Sequence, residues 1–343
     1  MKYRFVTLVL MVLAALGATL SLSCVGTKEA QPYGPPQVHF PEDEGAHPGF
    51  LVEWWYLNAT LQDAEGHEYT AMVAYFTPTM RIMSVSDLEA DAFYQEVPDF
   101  LDLTGVTRNY AVGALDLRWG GTDRWYRTAP DSSSYQLKAD GDTLGLSLDI
   151  VSEKAPLMVG GDGFIEWTEG STYYYSLTRL HVEGQIEFAG KTVDVEGIGW
   201  MDHQWMKSVA QKGWDWFSVQ LDDDTDIICW QIVNDNGSIH SRDLTMMFPD
   251  ESIYHTVDLD LEKTATWASP DTGKEYGTVW RVTESKHDLN LEIKARYDKQ
   301  EILLFRDQPA VAWQFWEGGV TVSGQLDGKD VSGIGYAELV PPK

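Results

Sequence analysis

The sequence is poor in helical patterns, in cysteine and in positive charge. Outside the N-terminus no long apolar stretch repeats at helical spacing, and residues 82–93 are the one segment that could form a short helix. Only two of the 343 residues are cysteines, so we expect no disulfide framework and a buried thiol at Cys229. The 53 acidic residues outnumber the 25 basic ones and give a net charge of −28. Such a surface repels nucleic acid and anionic lipid headgroups, so neither is an expected partner.

The chain is instead rich in short runs of Val, Ile, Thr, Tyr and Trp. These runs alternate with a period of two and are separated by turns such as Asn236-Gly237. Clear examples are residues 69–76, 171–182, 227–233 and 289–297. The pattern predicts an all-β fold of antiparallel strands, and we favour up-and-down barrels over a pair of sandwiches. A barrel of about eight strands has room for one small ligand.

The sequence also repeats itself. Residues 53–61 match residues 213–221 at an offset of 160, since 213 minus 53 is 160. Residues 182–200 match residues 322–336, because both segments begin with Val-x-Gly-Gln and end with Gly-Ile-Gly-aromatic. Two units with matching first and last strands indicate a tandem duplication.

The duplication gives the domain boundaries. We expect a first barrel over residues 38–207 and a second over residues 208–343, with Trp54 superposing on Trp214. With 43% hydrophobic residues, the chain has enough apolar side chains to fill two cores.

The N-terminus has the pattern of a bacterial lipoprotein signal. Two basic residues precede an apolar run over residues 5–22, and a small residue comes directly before Cys24. We therefore expect a signal peptide over residues 1–23, acylation of Cys24 and a linker over residues 24–37, so that the exported protein is lipid-anchored in the cell envelope or periplasm. The alternatives are a cleaved, secreted protein and an uncleaved transmembrane anchor, for which 18 mostly apolar residues are barely long enough.

One segment concentrates residues that can perform chemistry. Residues 199–205 read Gly-Trp-Met-Asp-His-Gln-Trp, and Trp-Asp-Trp follows at residues 214–216. Asp202 and His203 occur only in the first unit, because Glu and Leu stand at the matching positions of the second. Closing a barrel therefore does not require them. We predict an acid–base role for the pair, and the alternative is a structural pair that links the barrels.

Asp215 is the third candidate acid. It lies between Trp214 and Trp216 on an alternating strand, so if these indoles face the barrel interior, Asp215 faces outwards to an inter-barrel cleft. A carboxyl group beside apolar rings has a raised pKa, as a general acid requires, and indole faces stabilise cations. The side chains that we expect to contact a ligand are Trp55, Tyr56, Trp205, Trp214, Trp216, Asp43, His47 and Glu53.

Asp43, His47 and Glu53 form a second polar group just before the first strand. The first and last strands of a closed barrel are neighbours, so we expect this group to lie beside Asp202 and His203. A loop that plugs the barrel mouth with salt bridges is the alternative. An ion held by Asp43, His47, His203 and an acid is also conceivable, but no paired-His spacing supports it, so we expect neither metal nor cofactor. A serine hydrolase is not expected, because no serine lies in a nucleophile-elbow pattern.

With these residues in view, the chain resembles the AttH-like family, which includes carotenoid 1,2-hydratase (hydroxyneurosporene synthase) and members labelled as secreted hydrolases. The matching elements, from about residue 38 to residue 340, are Phe40-Pro41, Asp43, Gly45-Ala46-His47-Pro48, Glu53-Trp54-Trp55-Tyr56, residues 199–205, residues 213–217 and Gln220-Leu221-Asp222-Asp223. Met206 departs from the Gly that is usual in the family. The resemblance implies two lipocalin-like barrels and, in some members, hydration or cyclisation of an isoprenoid alkene.

We therefore expect a monomeric envelope protein that binds a hydrophobic, isoprenoid-like or carotenoid-like ligand. Asp202 or Asp215 would protonate a double bond, His203 would orient the acid or the water, and tryptophans would stabilise the cation. The alternative is a carrier of hydrophobic ligands without turnover.

Overall fold

The computed structural model describes residues 36–78, 80–97, 108–167, 170–207, 212–306, 308 and 312–342. Within these ranges the chain forms one short 3-10 helix, Glu42–Glu44, and 23 strands in two antiparallel sheets. The predicted all-β fold is confirmed. The expected signal peptide and most of the expected linker lie outside the described residues. No helix in the described part is long and apolar enough to cross a membrane.

The first sheet, here called the first barrel, curls around its own core. Its strands are β1 (Val52–Gln62), β2 (Glu68–Phe76), β3 (Met80–Asp87), β4 (Ala92–Glu96), β5 (Arg108–Tyr110), β6 (Asp116–Trp119), β7 (Asp123–Arg127), β8 (Ser134–Asp140), β9 (Leu144–Ser152), β10 (Leu157–Met158), β11 (Phe164–Trp167), β12 (Gly170–Phe188) and β13 (Lys191–Met206).

The second sheet, here called the second barrel, follows directly. Its strands are β14 (Gly213–Leu221), β15 (Asp226–Val233), β16 (Ile239–Met247), β17 (Ile253–Thr256), β18 (Asp260–Ala268), β19 (Glu275–Glu284), β20 (Leu289–Ala295), β21 (Glu301–Leu304), β22 (Trp313–Leu326) and β23 (Lys329–Val340).

The two barrels share one strand order, to which the first barrel adds β6 and β5 at one edge. The first sheet runs β4-β3-β2-β1-β13-β12-β9-β8-β7-β6-β5 and the second runs β17-β16-β15-β14-β23-β22-β20-β19-β18. Register agrees as well, because Ala59 pairs with Gly199 while Val219, 160 positions after Ala59, pairs with Gly335. The predicted duplication thus holds in strand order and in register. The expected boundary after residue 207 remains a prediction, since residues 208–211 are not described.

Close backbone approach explains the repeated glycines of the closing strands. A Cβ atom added to Gly197 would lie 2.1 Å from the carbonyl oxygen of Thr60, and one added to Gly333 would lie 2.3 Å from that of Gln220. Any larger residue would push the first and last strands of its barrel apart. The Gly-Ile-Gly-aromatic signal therefore marks the place where each closing strand crosses its opening strand.

Burial differs between the outer strands and the strands where the barrels meet. On β8 and β20 buried and exposed residues alternate, as in a sheet with one face in water. On β1 and β14 most residues are buried, because one face of each strand lines the core of its own barrel and the other face packs against the other barrel. The outer faces of these strands thus form a buried contact between the two barrels.

Two local expectations had different outcomes. Cys229 is a buried free thiol, as predicted. The short helix expected over residues 82–93 is wrong, because this segment lies in β3, a turn and β4. Both faces of β3 are buried: Met83 and Val85 belong to the core of the first barrel, while Ser86 donates a hydrogen bond to Gln300 of the second barrel (2.5 Å). Apolar and small residues on both faces hid the strand period in the sequence.

A buried ion pair joins the two barrels at Asp226. Its carboxylate, fully buried, accepts hydrogen bonds from Lys154 Nζ (2.7 Å), Thr178 Oγ1 (2.9 Å) and Arg179 Nη2 (2.7 Å), all of which belong to the first barrel. Removal of one partner from a buried charge network leaves the other charges unpaired, and the cost is several kcal/mol.

We therefore expect Asp226→Asn to lower the free energy of unfolding by about 3 kcal/mol or more. The matched control is Asp224→Asn, because Asp224 also contacts Arg179 (3.3 Å) but is exposed, and such surface pairs are worth about 1 kcal/mol or less. Urea denaturation of both variants provides the measurement. Equal losses in the two variants would contradict a bracing role for Asp226.

Candidate functional site

The pairing of β1 with β13 positions most of the predicted site residues. Glu53 pairs with Trp205 and Trp55 pairs with His203. These four side chains alternate with their neighbours and point to the same face, which is the interior of the first barrel. The expectation that the first and last strands of unit one are adjacent is correct.

Four polar residues meet at this end of the barrel, and we call them the entry cluster: Asp43, His47, Glu53 and His203. His47 Nδ1 lies 2.7 Å from Glu53 Oε1, and His203 Nε2 lies 3.0 Å from the same oxygen. The backbone N–H of His47 donates to both Glu53 oxygens (3.1 and 3.0 Å). On its other side His47 Nε2 lies 3.2 Å from Asp43 Oδ1. Residues far apart in the chain thus converge on one carboxylate.

The electrostatics of the entry cluster favour an ionised Glu53 carboxylate beside a neutral His203 ring. Burial alone would raise the pKa of Glu53, but hydrogen bonds from His203 and His47 outweigh burial and lower it. Burial lowers the pKa of His203, and the hydrogen bond with Glu53 only partly opposes this effect. Glu53 is therefore ionised at neutral pH, and His203 donates a hydrogen bond to it as a neutral ring.

Aromatic rings enclose the two imidazoles of the entry cluster. Trp205 stacks on His47 with ring centroids 3.9 Å apart, and Trp55 stacks on His203 at 4.5 Å. Tyr175 contacts His203 edge-on at 5.4 Å. The rings fix the orientation of both imidazoles, so Trp55 and Trp205 lie in this cluster, as predicted for one site.

Asp202 does not join the entry cluster, so the expectation of a single site was wrong. Adjacent residues on a strand point to opposite faces, and Asp202 therefore faces the second barrel while His203 faces the first core. The Asp202 carboxylate accepts hydrogen bonds from Ser176 Oγ (2.6 Å), Trp200 Nε1 (2.6 Å) and the hydroxyl of Tyr174. His203 cannot orient the carboxyl group of Asp202.

Asp202 belongs instead to what we call the inter-barrel layer, the side chains that β1, β12 and β13 bury against β14, β22 and β23. Its aromatic members include Tyr56, Tyr174, Trp200, Trp216 and Tyr336, and its carboxyl groups are those of Asp202, Glu317 and Glu338. The layer is bridged by hydrogen bonds from Tyr56 to Glu317 (2.8 Å) and from Trp216 Nε1 to Tyr174 (2.9 Å).

Burial raises the pKa of each acid of this layer and so favours its protonated form. Glu317 and Glu338 are direct cross-strand partners. Burial, followed by the charge of Glu338, raises the pKa of Glu317 well above its ordinary value. Burial raises the pKa of Glu338 to about 7, although a hydrogen bond from Trp214 opposes it. Burial raises the pKa of Asp202 to about 6 against its three hydrogen bonds. At neutral pH the Glu317–Glu338 pair thus retains a proton.

Asp215 lies outside this layer. Trp216 packs between the barrels while Phe217 lines the second core, so Asp215, with the parity of Phe217, is on the interior side of the second barrel. The prediction that Asp215 faces an inter-barrel cleft requires Trp214 and Trp216 to face the barrel interior, and the structure shows the opposite orientation. Gln231 Nε2 donates a hydrogen bond to Asp215 (2.8 Å), and burial raises its pKa to about 6.

The predicted residues therefore fall into three places. The entry cluster and its rings hold Asp43, His47, Glu53, Trp55, His203 and Trp205; the inter-barrel layer and its edge hold Tyr56, Asp202, Trp214 and Trp216; the second barrel holds Asp215. Cys24 lies outside the described residues. Sequence reasoning did not assign roles to Glu317 or Glu338. Glu338 carried a signal, since it matches Asp202 in the repeat, whereas Glu317 carried none.

The candidate residues are packed against protein. Two surface grooves, of about 500 and about 350 Å³, are lined by other residues on the outer faces of the two barrels.

The pKa of Glu338 predicts a pH dependence of stability. Its ordinary value is 4.5 and its folded value is about 7, so the unfolded chain loses this proton first. Stability should therefore fall as pH rises from 4.5 to about 7 and then level off, by at most about 3 kcal/mol at 1.36 kcal/mol per pKa unit. Glu338→Gln should remove most of this slope in urea denaturation between pH 4.5 and 8. Parallel curves for variant and wild type would show that Glu338 is already ionised in the folded protein.

Solved structures of other proteins share this fold. An AttH protein of Nitrosomonas europaea superposes with a TM-score of 0.75 at 24% identity, over 91% of this chain and 99% of the other. Kievitone hydratase of Nectria haematococca superposes with a TM-score of 0.71 at 18% identity, over 90% and 98%. CghA, in a structure with Sch210972, superposes with a TM-score of 0.60 at 14% identity, over 92% and 96%. At these identities the likeness establishes the fold alone, and the expected pair of lipocalin-like barrels is confirmed.

No protein of curated function matches the sequence of this chain. The model of the AttH-like family, by contrast, matches residues 79–341, which is well over half of the sequence. The resemblance seen in the Trp-rich segments is therefore correct, and the chain belongs to the AttH-like family.

Proposed function

We propose that the protein is a cofactor-independent hydratase or cyclase of an apolar alkene, with its acid in the inter-barrel layer. One observation carries the proposal. Asp202 and Glu317 are buried and Glu338 is half-buried among phenol and indole rings. Burial raises the pKa of all three, so that the Glu317–Glu338 pair retains a proton at neutral pH. Converging, perturbed acids in an apolar setting are typical of active sites.

The chemistry needs a neutral carboxyl group beside the alkene. A proton passes from the Glu317–Glu338 pair to the less substituted carbon, and the π electrons form the new C–H bond. The cation left on the more substituted carbon is stabilised by the faces of Trp214 and Trp216. Water adds to this cation and returns a proton to the carboxylate, which restores the acid. Capture by a second double bond, with later loss of a proton, would give a cyclised product instead.

The ligand is proposed to be hydrophobic and isoprenoid-like. The apolar members of the layer, among them Phe315 and Val340, offer no partner to a polar substrate. Half-buried rings at the edge of the layer, such as Trp214 and Trp313 with centroids 6.0 Å apart, are the ones that an entering ligand would displace. A hydratase is among the proteins of the same fold, which supports hydration as the reaction.

We also propose that the protein works at the cell envelope, tethered by a lipid on Cys24. The basic start, the apolar run over residues 5–22 and the small residue before Cys24 support this proposal. An apolar substrate partitions into membranes, so a tethered enzyme would meet it there. Several acyl chains hold a protein far better than one.

The catalytic proposal predicts that Glu338→Gln and Glu317→Gln each reduce turnover by about 10² to 10⁴, the usual contribution of a positioned acid. Native mass spectrometry of the protein with a lipid extract first identifies the bound alkene. Incubation of that alkene in H₂¹⁸O then follows either addition of labelled water or formation of an isomeric ring. Ligand binding should persist in both variants, because the amide keeps the shape of the side chain.

Asp215→Asn is the matched control, because this half-buried acid also has a raised pKa, of about 6, but belongs to the second barrel. It should keep wild-type turnover. Activity lost in Asp215→Asn and kept in Glu338→Gln would move the reaction into the second barrel. An alkene that binds and is released unchanged would make the protein a carrier of hydrophobic ligands.

The anchoring proposal predicts that Cys24→Ala moves the full chain from the membrane fraction to the soluble or unprocessed fraction of a bacterial host. Mass spectrometry of the N-terminal peptide should show an acylated Cys24 in the wild type. Cys229→Ala is the control, because this buried thiol cannot be lipidated and its replacement should leave fractionation unchanged. Wild-type protein that is released with a free N-terminus at another residue would refute the anchor.

A further inference from the structure

We propose that the entry cluster binds one divalent transition-metal ion, with His47, Glu53 and His203 as its ligands. The proposal is independent of the proposed reaction, which takes place on the other face of β1 and β13. Two imidazoles and one carboxylate on a shared centre are a ligand set suited to Zn²⁺ and to neighbouring metals such as Co²⁺.

The positions of the ligand atoms fit an ion. His47, Glu53 and His203 each offer one ligand atom, a ring nitrogen or a carboxylate oxygen, and these three atoms all lie within 4.8 Å of one another. Tetrahedral ligands at ordinary zinc distances are about 3.3 Å apart. The two nitrogens are now 2.7 and 3.0 Å from Glu53 Oε1, so each needs to move outwards by only a few tenths of an ångström.

Neighbouring polar groups already fix the orientation of the proposed ligands His47 and Glu53. Asp43 Oδ1 lies 3.2 Å from His47 Nε2, and the outer nitrogen of a metal-bound histidine commonly donates to such a carboxylate. Asp43 is itself held by the backbone N–H of His39 through its second oxygen (2.8 Å). Glu53 is held by the backbone N–H of His47. An ion would meet ligands whose orientation is set in advance.

His203 supplies a separate indication. Without an ion, the neutral ring donates from Nε2 to Glu53, which leaves Nδ1 as a buried acceptor without a well-aligned partner. With an ion on Nε2 the ring proton moves to Nδ1, on the side where the Asp43 backbone interacts with the ring. An ion on His47 Nδ1 leaves Nε2 of that ring to donate to Asp43 Oδ1. The ion thus takes the place of two hydrogen bonds to one Glu53 oxygen.

The repeat shows that the barrel does not need these residues. The positions that correspond to Glu53 and His203 in the second barrel are occupied by Gly213 and Leu339, in the same strand register. In the second barrel β14 pairs with β23 without an acid–imidazole pair at these positions. A requirement of strand pairing therefore does not explain the entry cluster.

The experiment uses the full chain, stripped with a chelator and then titrated with Zn²⁺ or Co²⁺. We expect one ion per chain by elemental analysis, tetrahedral visible absorption of Co²⁺, and a higher melting temperature with Zn²⁺. His47→Ala and Glu53→Gln should weaken binding more than 100-fold. Asp43→Asn should weaken it by about 10- to 100-fold, because the Asp43 side chain contacts the outer nitrogen of His47 and none of the proposed ligand atoms.

Controls must separate this site from a surface of net charge −28, which attracts cations weakly everywhere. His255→Ala serves this purpose, because His255 pairs with Asp243 (2.7 Å) outside the entry cluster, and its replacement should leave binding unchanged. Circular dichroism confirms that each variant is folded. His47→Ala is the variant least expected to disturb folding, because the His47 side chain is partly exposed. Absence of a stoichiometric ion in the wild type, or equal affinity in all variants, overturns the proposal.

Discussion

The pairing of β1 with β13 is the constraint on which both polar regions depend. The two strands pair over eleven residues, and both are buried on two sides. Because side chains alternate, Glu53 and His203 enter the first barrel while Tyr56 and Asp202 face the second. A slip by one residue would exchange the two sets and place each acid among the wrong partners. The register of a single strand pair thus defines two separate chemical environments.

The two kinds of buried acid differ in what satisfies them. Asp226 meets the cations of Lys154 and Arg179, which compensate a full negative charge. Glu317 and Glu338 meet a phenol and an indole, which donate hydrogen bonds without carrying charge. Burial therefore dominates their pKa and favours the protonated form. Burial disfavours a charged carboxylate in both places. At Asp226 cationic partners offset this desolvation cost and the carboxylate links the two barrels, whereas the uncharged partners of Glu317 and Glu338 leave the protonated acid favoured.

Sequence patterns were sufficient for the fold and for half of the site. Strand period, the repeated glycines and the match of residues 53–61 to residues 213–221 predicted two similar barrels, and the closure of a barrel predicted that Glu53 and His203 are neighbours. Strand alternation alone places Asp202 and His203 on opposite faces of β13. Asp202 becomes a buried acid only because the second barrel covers the face of β13 that points away from the first core. That contact is long-range, and no local pattern encodes it.

Glu317 illustrates the same limit. In the sequence it is one acid between a tryptophan and two glycines, with nothing to distinguish it from 52 other acidic residues. Only the packing of β22 against β23 and of both against the first barrel makes it a buried partner of Glu338 and Tyr56. Glu338 was recognisable because the repeat aligns it with Asp202, so duplication carried information that composition did not.

The entry cluster and the inter-barrel layer both depend on β1 and β13, so the effect of a mutation on either strand cannot be assigned to one of the two regions. Loss of the His203 ring would leave a void beside Trp55 and disturb the backbone that positions Asp202, so a lost activity could not be assigned to either face. His47 belongs to the segment before β1 and Glu338 belongs to β23, so neither lies on the shared pair. A change at His47 that alters ion binding alone, and one at Glu338 that alters turnover alone, would establish that the two faces act independently. A change at His47 that also altered turnover would mean that β1 and β13 transmit strain from one face to the other.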